Sequence, residues 1–184
     1  MSEIVVQKFG GTSVGTVDRI DSVAEIIKNA SKSNKIVVVV SAMGGETNRL
    51  VDLAKAFGDD PDKREFDALV STGETVSSAL LTMALHSKGV KAKSFSASQI
   101  SMRTTSSYSK AKILDVDAKK ILDVVENDTI PIITGFFIFY LIFITMPDFA
   151  TVFWKSITKF SAYLSWKKVI NNTIIEWLLF EVIK

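Results

Sequence analysis

Five consecutive β-branched residues, Ile36 to Val40 (IVVVV), constrain the fold of this chain more than any other stretch. A half-exposed strand alternates polar and apolar residues, whereas this run is apolar at every position and reads as buried on both faces. Such a strand belongs in a parallel sheet covered by helices on each side. The surrounding sequence agrees. Ile4 to Phe9 is a second short apolar run, and between the two Ile20, Val23, Ala24 and Ile27 recur at helical spacing. A helix ending near Gly58 is expected to place Leu50, Leu53, Ala54 and Phe57 on one face. After the polar loop GDDPDKRE, a longer helical region begins at about Glu65. Its stripe runs through Phe66, Leu69 and Val70, then Val76, Ala79, Leu80, Met83 and Ala84, with Gly89 as its stop. Ala92–Ser96, Lys110–Val116 and Thr129–Gly135 read as further strands, and a helix over Asp117–Asn127 turns Ile121, Val124 and Val125 inward. Strands alternating with helices imply βαβ units and an α/β domain with a mainly parallel sheet.

Composition narrows the function. A chain of 184 residues suits one domain with a sizeable core. Its net charge of +2 and single histidine carry no nucleic-acid footprint. The absence of cysteine excludes disulfides and thiolate metal sites and suits the cytoplasm. Charged residues interrupt the first strand and helix, which argues against a secretory signal. The averages also hide a break. All nine glycines lie at or before Gly135, while all three tryptophans lie after it. No charge occurs from Thr129 to Met146, a run long enough for a membrane span by hydropathy alone. A buried strand joined to an unrelated apolar tail is the reading preferred over membrane contact.

Three clusters of glycine and hydroxyl residues are candidates for chemistry: Gly10-Gly11-Thr12-Ser13, Ser41-Ala42-Met43-Gly44-Gly45 and Ser71-Thr72-Gly73-Glu74. The first two follow strands, where ligands of open α/β sheets bind. Paired glycines let backbone N–H groups approach phosphate oxygens, and a following helix N-terminus favours anions. Neither standard nucleotide motif fits. The glycines have the wrong spacing for G-x-G-x-x-G, and the lysine, Lys8, precedes them rather than following as in a P-loop. An anion site and a tight structural turn therefore both remain open.

The stretches VVQKFGGTSVGTVDRI, VVVVSAMGGETNRL and ALVSTGETVSSALL closely resemble, in order and spacing, the N-terminal half of aspartate kinases, in the amino acid kinase family. ASQISMRTTSSYSKAKILDV and IPIITGF are similar to the family's next segments, so the resemblance covers about residues 3–136. It implies a three-layer α/β/α sandwich, and ATP-dependent phosphorylation of the β-carboxylate of L-aspartate with magnesium brought by the nucleotide. It implies that Lys8 neutralises charge on the transferring phosphoryl group, that Gly10 and Gly11 offer N–H groups to the phosphates, and that Ser41 lies near them. Thr47 and Glu74 would hold the aspartate, Glu74 through the ammonium group. Homo-oligomer formation is considered for the intact family. Glutamate and acetylglutamate kinases are the alternatives within the family, although K-F-G-G-T-S with S-A-M-G-G-E-T-N fits aspartate better.

Each residue also has a plainer reading. Lys8 could be a solvated strand-end charge, Glu74 a helix-surface carboxylate, and Thr47 a cap for the helix through Leu50. Arg49 reads as a solvated helix charge, His86 as an exposed histidine near a helix end, and Asp59, Asp60 and Asp62 as an acidic turn with no metal role. Ser106, Ser107 and Tyr108 fall in a segment that the family uses near its substrate. After Phe136 the resemblance stops, leaving residues 1–136 as the N-terminal part of a kinase domain and 137–184 as an unrelated apolar tail. The glycine-rich segment expected next has no counterpart, because no glycine follows Gly135. A frameshift near codon 137 is the simplest account and a fused membrane anchor its rival. The expectation is an impaired or inactive kinase fragment, with a non-catalytic membrane-tethered or partner-binding remnant as the alternative.

Overall fold

The computed structural model describes residues 4–109 and 111–135. The expected boundary at residue 136 and the tail that follows it lie outside them. The described chain runs β1 (Ile4–Phe9), α1 (Val17–Ala30), β2 (Lys35–Val40), α2 (Glu46–Lys55) and α3 (Lys63–Ser87). It continues through β3 (Ala92–Phe95), β4 (Arg103–Thr104), β5 (Ile113–Asp115), α4 (Ala118–Glu126) and β6 (Ile130–Thr134).

Four strands form a sheet in the order β1-β2-β6-β3, with every neighbouring pair parallel. β1 and β2 run in register from Ile4 opposite Lys35 to Phe9 opposite Val40, so their carboxyl ends finish side by side. The β-branched run behaves as its composition requires. Ile36, Val38 and Val40 join a cluster with Ile20, Val23, Ala24 and Ile27 of α1 and Leu81 and Leu85 of α3. Val37 and Val39 face the other way, into a cluster with Phe95, Ile100, Ile133 and Val125 of α4. Helices therefore cover both faces, as the three-layer α/β/α arrangement demands.

The helix ends show why these segments stop and start where they do. Thr16 caps α1, its hydroxyl accepting from the Arg19 N–H at 3.3 Å. Asp62 caps α3 by accepting from the Glu65 N–H at 3.0 Å, which gives one residue of the acidic turn a structural task. At the other end of α3, Gly89 takes φ +76°, and its N–H and that of Val90 bond the carbonyls of His86 and Leu85. This Schellman closure confirms Gly89 as the stop. α3 is long and apolar enough to cross a bilayer, but it packs as a core helix against α1, α2, β3 and β6.

Three expectations are corrected. Leu53 and Phe57 do not share the buried face of α2: Leu50 and Ala54 are buried, whereas Phe57 is 94% exposed. The helix ends at Lys55, two residues before Phe57, so periodicity no longer controls where that ring points. On α3 the inward face is Val70, Gly73, Glu74, Ser77, Ser78, Leu81, Thr82 and Leu85, while Val76 and Met83 face outward. Gly73 turns inward where the side chains of Ala42, Leu50 and Glu46 come close, and Ser77 where it bonds the Ser41 carbonyl. Of the expected strand Lys110–Val116, the described residues contribute the short β5, which pairs antiparallel with β4 in a separate hairpin rather than joining the main sheet.

Candidate active site

Phe9 and Val40 are the last paired residues of β1 and β2, and both chains then turn away as glycine-rich loops. The Ser41 N–H donates to the Phe9 carbonyl at 3.1 Å, which binds the start of one loop to the end of the other strand. In the first loop the Ser13 N–H bonds the Gly10 carbonyl at 2.9 Å, forming a tight turn. The two loops then touch. A Cβ added to Gly11 would lie 2.8 Å from the Ala42 carbonyl oxygen, a contact no real side chain tolerates. Gly11 is therefore required by loop-to-loop packing.

Gly10 differs. The nearest atom to a Cβ there would be the Lys8 Nζ, 3.8 Å away, so the ammonium reaches over the turn above accessible backbone. Lys8 itself is exposed. A cation beside a glycine turn at a strand's carboxyl end is chemically an anion-accepting arrangement.

The third cluster arrives from α3. A Cβ on Gly73 would lie 3.1 Å from the Ala42 Cβ, 3.2 Å from Leu50 and 3.3 Å from the Glu46 side chain. The helix therefore packs directly on the second loop and on α2. Beside Gly73, Glu74 is only 5% exposed, a position inconsistent with a surface carboxylate. Thr47 is the second residue of α2, half-buried near this junction. It does not cap the helix: Gly45 holds that place with φ +83°, because the chain must reverse between strand and helix within five residues.

The structure thus brings together Lys8, Gly10, Gly11, Ser41 and Gly73 with Glu74 at one end of the sheet, and sets Thr47 in the first turn of the adjoining α2. Other candidates lie elsewhere. His86 lies at the far end of α3, its Nε2 2.8 Å from the Ala92 carbonyl and about 18 Å along the helix from Glu74. The Ser106–Tyr108 segment is tied to α3 through Ser109, whose N–H and hydroxyl bond the Asp67 carboxylate at 2.6 and 3.1 Å.

A family model for the amino acid kinase family matches residues 3–143. The chain belongs to the amino acid kinase family. Among curated relatives, the aspartate kinase of Stutzerimonas stutzeri is 51% identical over 134 residues, covering 72% of this chain and 32% of the relative. The aspartokinase of Geobacillus stearothermophilus is 48% identical, covering 72% and 33%. The chain therefore spans about a third of the length of the curated relatives it matches. Among solved structures, aspartate kinase from Synechocystis is 42% identical with a TM-score of 0.63, covering 72% of this chain and 22% of that one. Aspartokinase III of E. coli, solved with aspartate and ADP, is 25% identical with a TM-score of 0.64, covering 73% and 41%.

Two residues that hold these loops escaped the sequence reading. The Arg19 guanidinium donates to the Thr12 carbonyl, holding the first loop from α1. Ser77, completely buried, donates to the Ser41 carbonyl at 2.7 Å, holding the second loop from α3. Both lie inside the stretches that carry the family resemblance, but neither was assigned a role there. The one available signal was a run of small residues at helical spacing from Gly73, which marks a close approach. Arg49 is exposed, as expected of a solvated helix charge, and it also pairs with Glu46 in the first turn of α2 through two bonds of 2.7 and 2.9 Å. That guanidinium holds the Glu46 carboxyl below its usual value, and the carboxylate in turn raises the Arg49 pKa.

Proposed function

We propose that this chain is the phosphate- and aspartate-binding part of an aspartate kinase. The activity is transfer of the γ-phosphoryl group of ATP to the β-carboxylate of L-aspartate, giving ADP and 4-phospho-L-aspartate. The observation that carries this reading is the convergence of three separate glycine-and-hydroxyl clusters around an exposed lysine and a buried glutamate. Phosphoryl transfer needs positioning and charge neutralisation more than covalent help, and these residue types supply both.

In this reading Lys8 neutralises charge on the phosphoryl group in flight, and Gly10 and Gly11 offer backbone N–H groups to the phosphates. Ser41 stands beside them. Thr47 and Glu74 hold the amino acid, the Glu74 carboxylate pairing with its ammonium group. The Lys8 ammonium, 3.8 Å from where a Gly10 Cβ would lie, puts positive charge beside that turn, which suits the phosphate end of a nucleotide. Magnesium would come with the nucleotide and would supply charge screening on its phosphates, and no residue here is assigned as its ligand. Work in the cytoplasm, at the first step toward lysine, threonine and methionine, belongs to the same proposal, as does the boundary near residue 136.

The test uses residues 4–135 in place of the matching segment of the Stutzerimonas stutzeri enzyme. The chimera forms aspartyl hydroxamate from aspartate, ATP and hydroxylamine, and Lys8→Ala lowers the rate by about 10²–10³-fold, the usual loss on removing one charge-stabilising group. The 184-residue chain alone forms none. A folded chimera without aspartate-dependent product would end the reading.

A further inference from the structure

α3 buries three hydroxyl side chains, and they are satisfied differently. Ser78 bonds the Thr75 carbonyl at 3.0 Å and Thr82 bonds the Ser78 carbonyl at 2.8 Å, both within the helix. Ser77 also has a carbonyl of its own helix in reach, that of Glu74 at 3.1 Å, yet its shorter bond, 2.7 Å, leaves the helix for the Ser41 carbonyl. A serine needing only local satisfaction would not have to reach a residue 36 positions away.

That bond sits at a junction. The Ser41 N–H is already held by the Phe9 carbonyl, so Ser77 fixes the other side of the same residue. With Ser41 held at both ends, the next carbonyl, Ala42, points at Gly11 of the first loop. The Ala42 Cβ meanwhile packs on Gly73, four residues before Ser77 and one turn away on the same helix face. A hydroxyl at position 77 therefore sets how the second loop lies against the first loop and against the helix carrying Glu74.

We propose that Ser77 is a positioning residue, coupling the Glu74 helix to the Ser41–Gly45 loop so that the amino-acid and phosphate sides of the site keep a fixed spacing. The proposal rests on the aspartate-kinase reading for its substrate, but its structural half does not. Removing the hydroxyl leaves the Ser41 carbonyl without its buried donor and frees the loop to shift.

The test uses the full 184-residue chain with Ser77→Ala, and Ser78→Ala as the control that deletes a neighbouring buried hydroxyl bonded only within its helix. Amide hydrogen exchange at residues 42–46 and L-aspartate affinity by calorimetry are measured for both. Ser77→Ala is expected to raise exchange in that loop about tenfold and weaken aspartate about tenfold, with Ser78→Ala changing neither. The proposal is overturned if the two variants match, or if Ser77→Ala loses protection evenly across β1, β2 and β6. If the wild-type chain binds no aspartate, the exchange comparison alone decides the coupling, and the substrate reading stands or falls with the chimera. Ser77→Cys, of similar shape but a weak donor, carries the same comparison if the alanine variant does not fold.

Discussion

Along β2, five side chains are buried by alternating between two apolar clusters; one residue further, at Ser41, the chain is held by backbone hydrogen bonds and by glycines pressed against carbonyl groups. The strand interior is specified by side-chain volume, so another apolar residue of similar size would serve. The loops beyond it are specified by backbone position, and the missing atoms of Gly11 and Gly73 are what permit the contacts. A functional site built in this way is rigid where it must align charge. It is also intolerant of additions that the core would absorb.

The largest effect should come from the core. Ile132 is fully buried between β2 and β3, and Ile132→Ala should cost about 2–5 kcal/mol in urea unfolding. A loss below about 1 kcal/mol would show that the sheet centre is not closely packed, removing one side of the contrast.

Next come the loops. Gly11→Ala places a methyl group 2.8 Å from a backbone oxygen and should cost about 1–3 kcal/mol, whereas Gly10→Ala meets the Lys8 Nζ at an ordinary contact distance of 3.8 Å and should cost less. Equal losses in parallel unfolding curves would mean that close approach does not distinguish these two glycines. Away from the site, Gly89 has open space but a left-handed backbone, so Gly89→Ala should cost about 1–2 kcal/mol through conformation alone. Gly89→Asn should recover part of it, since asparagine tolerates that region better.

The smallest effect is electrostatic. Glu46 has its carboxyl pKa lowered by Arg49 in the folded state, so its contribution to stability is fully present above the unfolded value of 4.5. It is lost as pH falls through the depressed folded value. Arg49→Gln should therefore produce a slight destabilisation at neutral pH that disappears on acidification below about 4.5, checked by thermal unfolding across that range. A difference that persists at low pH would assign Arg49 a packing role instead.

How much of this was legible beforehand follows from the same contrast. The IVVVV run and the α1 stripe announced buried strands and a covering helix, because burial of a regular element is written in its own periodicity. Gly89 was legible as a stop, since a left-handed closure calls for glycine locally. The face of α3 was not legible. Hydrophobic spacing favoured Val76 and Met83, yet Gly73, Ser77 and Ser78 turn inward because Ala42 and the Ser41 carbonyl come within contact distance. Phe57 was misplaced for a related reason, as its helix had already ended.

For the candidate site, the sequence alone supplied the residue types and, through several stretches matching in order and spacing, the family resemblance. It also determined that β2 must be covered on both faces, since no other environment accepts five apolar β-branched residues in a row. Only the tertiary structure decided that loops thirty residues apart interlock through Gly11 and Ala42, that Glu74 is buried beside them, and that Ser77 reaches across to Ser41. Those contacts depend on where strands end relative to one another. That is set by the packing of the whole sheet, and no local stretch of chain encodes it.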